Sequence, residues 1–224
     1  MSIVLEYLQL GCAFCRISIY TLFRRLCCRS PPPPRPEISV VCIGLAKAGK
    51  STLLALISGE STQDIQPTIG FSIKALQFKN CILNVKEIGG GEGVRPYWKH
   101  YFSGAKGIIF VLDSACPESD LEIVKTELSN ALANPTLDKL PLLVLACHQE
   151  KDGARSIEQL KKELELEFHG EGRAWLIHPC SLNDLRGIKE GFENFNQYLL
   201  GEKSVEGDQT PREQGQSEDI PGRI

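Results

Sequence analysis

Residues 44–51 read Gly-Leu-Ala-Lys-Ala-Gly-Lys-Ser, an uninterrupted match to the pattern G-x4-G-K-[S/T]. The motif constrains the fold because it works only between a strand and a helix. Ahead of it runs Ile38-Ser-Val-Val-Cys-Ile43, apolar and rich in β-branched residues, which reads as a buried parallel strand. Behind it, Thr52-Leu-Leu-Ala-Leu-Ile-Ser58 reads as the start of a helix. Gly44 and Gly49 let the backbone curl so that successive N–H groups point at phosphate oxygens. Lys50 is placed to reach the β- and γ-phosphates, and the Ser51 hydroxyl to ligate Mg²⁺. The predicted phosphate-binding set within the loop is Gly44, Lys47, Ala48, Gly49, Lys50, Ser51 and Thr52. The alternative is a glycine-containing turn that holds nothing, and the order strand, loop, helix argues against it.

The two ends of the 224-residue chain differ from its middle. Residues 1–30 carry Glu6 against Arg16, Arg24, Arg25 and Arg29, a net charge of +3. Residues 202–224 hold six acidic and three basic side chains with almost no apolar pattern, and are expected to be disordered. No basic stripe runs through the middle, which argues against a nucleic-acid partner. Nine cysteines, an odd number scattered through predicted strands and loops, suit a reducing compartment rather than a disulfide framework.

Residues 3–26 are strongly apolar, with a partial polar stripe at Ser2, Glu6, Gln9 and Arg16. The longest uncharged run there, Tyr7 to Cys15, falls short of the roughly 18–20 residues of a membrane span. An acidic start and the lack of a small-residue cleavage site argue against a secretory signal. The expected structure is an interfacial amphipathic helix. Cys27 and Cys28, flanked by arginines, are candidate S-palmitoylation sites, and Ser2 excludes N-myristoylation. Two acyl chains and a basic cluster would anchor stably where one chain would not. The alternative packs this helix on the protein itself. Cys12 and Cys15 form a lone C-x-x-C, too little for a zinc or redox site.

Pro31-Pro-Pro-Pro-Arg-Pro36 reads as a stiff polyproline II spacer of about 3 Å per residue, the alternative being an SH3-type ligand. Beyond it, apolar strands alternate with helical patterns. Strands are expected near 38–43, 72–78, 81–87, 107–113, 141–147 and 174–180, and helices near 50–58, 95–103, 118–133, 155–167 and 184–200. Lys79-Asn80 joins the second and third strands as a hairpin, so one edge strand is antiparallel. The others need crossover helices. The expected fold is an α/β three-layer domain on a mostly parallel six-stranded sheet, with its ligand site at the carboxyl ends of the strands. The predicted organisation is a membrane-associating segment 1–30, a linker 31–36, a domain 37–201 and a tail 202–224.

Three further segments carry a family resemblance. Pro67-Thr-Ile-Gly-Phe71 resembles the first switch of the ADP-ribosylation-factor (Arf) small GTPases. Leu83-Asn-Val-Lys-Glu-Ile-Gly-Gly-Gly91, continuing through Val94-Arg-Pro-Tyr-Trp-Lys-His-Tyr-Phe102, resembles their interswitch strand and second switch. Gly107-Ile-Ile-Phe-Val-Leu-Asp-Ser114 is similar to the strand that follows. Over roughly residues 37–200 the resemblance implies the P-loop NTPase fold of the small GTPases, with GTP or GDP and Mg²⁺ as ligands. The Cys-Cys-x-x-Pro-Pro-Pro entry, Gly70-Phe-Ser-Ile-Lys-Ala75 and Pro179-Cys-Ser-Leu182 place it in a divergent Arf-like branch.

By resemblance, Thr68 completes the metal shell with Ser51 and, with the Gly90 N–H, senses the γ-phosphate. Glu87 stands where the family has Asp, one methylene longer, which small octahedral Mg²⁺ tolerates poorly unless water intervenes. Gly91 occupies the position of the Gln that orients the attacking water, and negligible intrinsic hydrolysis is expected. Glu92, the nearest substitute, would repel the phosphate. The N-K-x-D pattern appears as Cys147-His-Gln-Glu150, so Cys147, His148 and Glu150, with Ser181, form the implied guanine-binding set. Each unpaired group there costs about 1–3 kcal/mol, enough together to move a nanomolar affinity to micromolar. The family's aromatic effector surface maps to Phe71, Lys86 and Tyr101, with Trp98 nearby, so its middle aromatic has become a lysine; the alternative packs Phe71 and Trp98 on the sheet.

The resulting expectation is a membrane-associated, monomeric GTP-binding switch on the cytoplasmic face of Golgi, endosomal or plasma membranes, with a cytosolic pool. Its switch regions would bind protein effectors in trafficking or in transporter regulation, including a transporter's cytosolic domains. The competing class is a pseudo-GTPase scaffold with weak or no nucleotide binding. A third, an ATP-binding enzyme with relaxed base choice, lacks support because Asp113, His100 and His178 have no sequence partners that suggest a catalytic constellation.

Overall fold

The computed structural model describes residues 11–21, 34–169 and 172–203. The chain divides into two compact units, Met1–Arg35 and Pro36–Ile224. Of the first, residues 11–21 are helical and exposed throughout, with Phe14, Ile17, Ile19 and Tyr20 each more than three-fifths accessible. Cys27 and Cys28 lie outside the described residues.

The second unit is built on a six-stranded sheet. Its strands are β1 (Glu37–Ile43), β2 (Phe71–Gln77), β3 (Ile82–Ile88), β4 (Ile108–Asp113), β5 (Leu142–Cys147) and β6 (Trp175–Pro179). They lie in the order β2-β3-β1-β4-β5-β6. All pair in parallel except β2 with β3, where Phe71 faces Ile88 and Gln77 faces Ile82. The hairpin closes across Lys79-Asn80, with the Phe78 N–H donating to the Cys81 carbonyl at 3.0 Å. β5 is buried at every position and β4 at all but its last, as expected of central strands covered on both faces.

Helices supply that cover. They are α1 (Lys50–Ser58), α2 (Glu118–Leu132), α3 (Ile157–Glu163), the single turn α4 (Leu166–His169) and α5 (Leu185–Leu199). On one face of the sheet, Leu121, Val124 and Leu128 of α2 join Ile43, Phe110 and Val144. On the other, Leu53 and Leu54 of α1 and Ile188, Phe192 and Phe195 of α5 join Val40, Val111 and Leu145. The spacing of Ile188, Phe192 and Phe195 is the i, i+4, i+7 stripe of a core-facing helix. Truncating either Phe would cost about 3–5 kcal/mol.

Two elements depart from the sequence expectation. Residues 95–103 form a 3₁₀ helix over Arg95–Tyr101 rather than an α-helix, entered at Pro96 and turned inward by buried Trp98. The helix expected over 155–167 breaks at Leu164 and Glu165, because Glu165 takes φ 48°, outside the helical region.

Candidate functional site

The carboxyl ends of β1 and β3 and the start of α1 meet at a cleft of about 510 Å³. Its floor is the 44–51 loop. Gly44 at φ 146° brings the backbone so close to β4 that a Cβ would lie 2.1 Å from the Val111 carbonyl oxygen. Gly49 at φ 94° is the N-cap of α1 and contributes no side-chain cap. The first N–H groups of the helix therefore face the cleft, an anion-binding arrangement. Lys50 is 6% exposed, and its Nζ donates to the carbonyls of Gly44 at 2.9 Å and Leu45 at 2.8 Å. Burial pushes its pKa down.

Three oxygen ligands converge beside the loop. The Ser51 hydroxyl lies 3.2 Å from that of Thr68. Glu87 Oε1 accepts from Ser51, and from Thr68 at 3.2 Å. Two hydroxyls and a carboxylate within reach of one point form a hard, all-oxygen donor set that fits Mg²⁺. The extra methylene of Glu87 does not hold its carboxylate off: it reaches both hydroxyls directly.

The second-switch glycines carry distinct jobs. A Cβ at Gly90 would sit 2.2 Å from the Gly44 carbonyl oxygen, and the Gly90 carbonyl accepts from the Ala46 N–H at 3.0 Å. A Cβ at Gly89 would meet the Thr68 carbonyl oxygen at 2.4 Å. Both switch segments are thus packed on the loop. Gly91 has open space around its Cβ direction, and Glu92 is exposed. No side chain at position 91 can orient a water.

At the other end of the cleft, His148 takes φ 62° and sets its ring beside Gly49, with Nε2 3.8 Å from where a Gly49 Cβ would stand. Its Nδ1 lies 3.3 Å from Glu150 Oε1, and its Nε2 is 4.0 Å from Asp113 Oδ2. Lys151 Nζ donates to the same Asp113 oxygen at 3.0 Å. Its own backbone N–H, with Ser181 and His148 nearby, holds the Glu150 carboxyl below the usual range. Cys147 is fully buried in the same core cluster as Cys180, and that neighbouring thiol, with desolvation, raises its pKa. Gln149 points away, donating to Ser114 Oγ at 2.7 Å.

The implied effector residues separate. Phe71 is half-exposed and packs on Tyr101, ring centroids 5.1 Å apart. Lys86 does not project into that surface: its Nζ donates to the Tyr101 carbonyl at 3.1 Å, at the end of the 3₁₀ helix. Trp98 is 3% exposed and donates from Nε1 to the Gly89 carbonyl at 2.8 Å, so it belongs to the core and not to the surface. Sequence reasoning missed the exposed apolar side chains Ile69, 93% accessible, Ile73 and Tyr97, of which Ile73 lies on β2 two residues from Phe71. The alternation of Phe71 and Ile73 on edge strand β2 carried that signal. It also missed Leu182, which lines the cleft opposite the motif residues.

Known proteins share this architecture. The Arl6 BBS3 small GTPase from Trypanosoma brucei, solved with the bound nucleotide analogue GppNp, superposes with a TM-score of 0.68 at 23% identity. The match covers 75% of this chain and 99% of that one, and establishes the fold alone. ADP-ribosylation factor-like protein 15 of Homo sapiens is 50% identical over 187 residues, 84% of this chain and 91% of the relative. The Bos taurus protein of the same name is 48% identical over 186 residues, 83% and 92% of the two chains. ADP-ribosylation factor-like protein 2 of Arabidopsis thaliana is 36% identical over 157 residues, 70% of this chain and 84% of that one. Residues 29–199 match the ADP-ribosylation factor family as a whole. A phosphate loop, two switch segments packed on it and these relatives lead to one assignment: this chain belongs to the ADP-ribosylation factor family of small GTPases.

Proposed function

We propose that this chain is a membrane-associated regulatory switch that binds GTP or GDP with Mg²⁺, has little or no intrinsic hydrolysis, and acts by binding protein partners through its switch regions. The observation that carries this reading is the meeting of Ser51, Thr68 and Glu87 at one point, with Gly90 packed on the phosphate loop. Residues from both switches already reach the place where a γ-phosphate would sit. Lys50 and the first N–H groups of α1 would hold the phosphates, and Ser51, Thr68 and Glu87 the metal. Bound Mg²⁺ would neutralise charge on the β- and γ-phosphates. Segments 61–72 and 86–103 close on the γ-phosphate in this reading, and their closed form presents Ile69, Phe71 and Tyr101 to an effector.

The bare position at Gly91 supports slow turnover, with hydrolysis supplied by a partner. Residues 1–30 would provide the membrane contact, through the apolar side chains of helix 11–21 and acylation at Cys27 and Cys28. No helix among the described residues is long and apolar enough to cross a membrane. Family membership supports a role in membrane trafficking or transporter regulation, on the cytoplasmic face of Golgi, endosomal or plasma membranes, with cytosolic domains of a transporter as one partner class.

A second reading, a nucleotide-independent scaffold, is favoured by Lys50, whose ammonium is already satisfied by two loop carbonyls. Titration of the full chain with fluorescent GTP and GDP, with and without Mg²⁺, separates the two. Saturable, Mg²⁺-dependent binding is expected. No binding at about 100 μM, a ceiling of roughly 5.5 kcal/mol, would leave the scaffold.

A further inference from the structure

The side chains at the base end of the cleft are already committed to one another. Reading guanine requires a carboxylate whose two oxygens are free to accept from the N1–H and the N2 amine. Glu150 is at the position for this, but its Oε1 already lies 3.3 Å from His148 Nδ1, and its side chain is one methylene longer than the aspartate of the family pattern. His148 is fixed in turn between Glu150 and Asp113, and Lys151 holds Asp113 from the other side. Cys147 has no amide to give the loop, and its thiol is buried in the core.

Of the residues at this end, His148 and Leu182 line the cleft. An imidazole ring and an isobutyl group contact the flat faces of a purine. Such contacts are tolerant of base identity, because every base has a π-face and only its edge carries the donor and acceptor pattern.

We infer that the cleft binds purine nucleoside triphosphates through their phosphates and the faces of the base, and does not discriminate guanine from adenine. The inference rests on the nucleotide-binding reading above and concerns only the base end of the site. His148 is then the residue that sets base affinity, and Glu150 a brace for the loop rather than a reader.

The test is competition on the full-length chain with Mg²⁺, with GTP and ATP each displacing a fluorescent GTP probe. Dissociation constants within tenfold of each other are expected. A GTP preference above tenfold overturns the inference and leaves the nucleotide reading standing. Failure of the probe and of both nucleotides to bind overturns that reading, and the inference with it. The outcomes are well separated, since a site that reads a polar edge discriminates by about 10⁴. His148→Ala, checked for an unchanged melting temperature, should weaken GTP and ATP in parallel by about tenfold, the loss of one stacking contact. A loss confined to GTP overturns the inference. The wild-type ratio decides the matter even where the variant melts early.

Discussion

The two ends of the cleft have met sequence change in different ways. The phosphate end is made largely of backbone: glycines at 44, 49 and 90, helix N–H groups, and carbonyls that hold Lys50. There, Glu87 in place of the family's Asp still reaches both hydroxyls. The base end is made of side chains: His148 and Glu150 pair with each other, while Cys147 is buried in the core with Cys180. A site specified by close backbone approach admits almost no substitution without loss of packing. One specified by side-chain functional groups can be rewritten while strand and loop stay in place.

The largest effect should come from breaking the backbone half. Gly90→Ala forces a Cβ to within 2.2 Å of the Gly44 carbonyl oxygen. Overpacking of this kind costs about 1–3 kcal/mol. Triphosphate affinity should fall more than about a hundredfold as the second switch leaves the loop, and calorimetric titration of the variant reads this directly. An affinity near wild type would mean that the contact does not organise the site.

The comparison is sharpened by rebuilding the other half. Cys147→Asn combined with Glu150→Asp shortens the carboxylate away from His148 and returns an amide to the loop. The ratio of GTP to ATP affinity should rise by about 10–100-fold, one or two recovered polar pairings. An unchanged ratio would show that the base end is set by something other than these side chains.

Next in size is chemistry at the bare position. Gly91→Gln enters open space, so the fold should be indifferent to it. Single-turnover hydrolysis, followed by phosphate release, should rise about tenfold or more as the side chain orients a water. No change would place the barrier elsewhere, with Glu87 the first residue to examine.

The smallest effect is a pH dependence far from the cleft. His178 packs on Gly191 of α5 and its Nε2 lies 2.8 Å from the Gly187 carbonyl oxygen. Burial lowers its pKa from 6.5. As pH falls below 6.5, the unfolded chain takes up this proton before the folded one, so stability declines. His178→Asn should flatten the fall in melting temperature between pH 7 and pH 5 by a few degrees. A slope as steep as wild type would assign the dependence to another group.

Much of this was legible beforehand because it depends on local pattern. The loop at 44–51, the apolar runs of β1, β4 and β5, and the two-residue turn at Lys79-Asn80 each carry their structure in a few adjacent residues. The misses share a different cause. Trp98 reads equally as a surface aromatic or a packed one until the Gly89 carbonyl comes within reach of its indole. Lys86 reads as a surface charge until the end of the 3₁₀ helix supplies a carbonyl for it. The contact of Glu150 with His148 depends on the left-handed backbone of His148 itself. Partners of this kind are fixed by tertiary approach, which no local pattern encodes.

The tie between Trp98 and Gly89 gives the molecule a built-in optical probe. One end of the hydrogen bond is an indole held in the core; the other is the carbonyl next to the residue that touches the phosphate loop. Displacement of Gly90 must strain or break that bond, altering the polarity around an emitting ring. The only other tryptophan, Trp175, is buried in the opposite edge strand, away from both switches, and serves as a constant background. Opening and closing of the second switch can therefore be followed by intrinsic fluorescence in the unlabelled protein, on the timescale of stopped flow, before any partner has been identified.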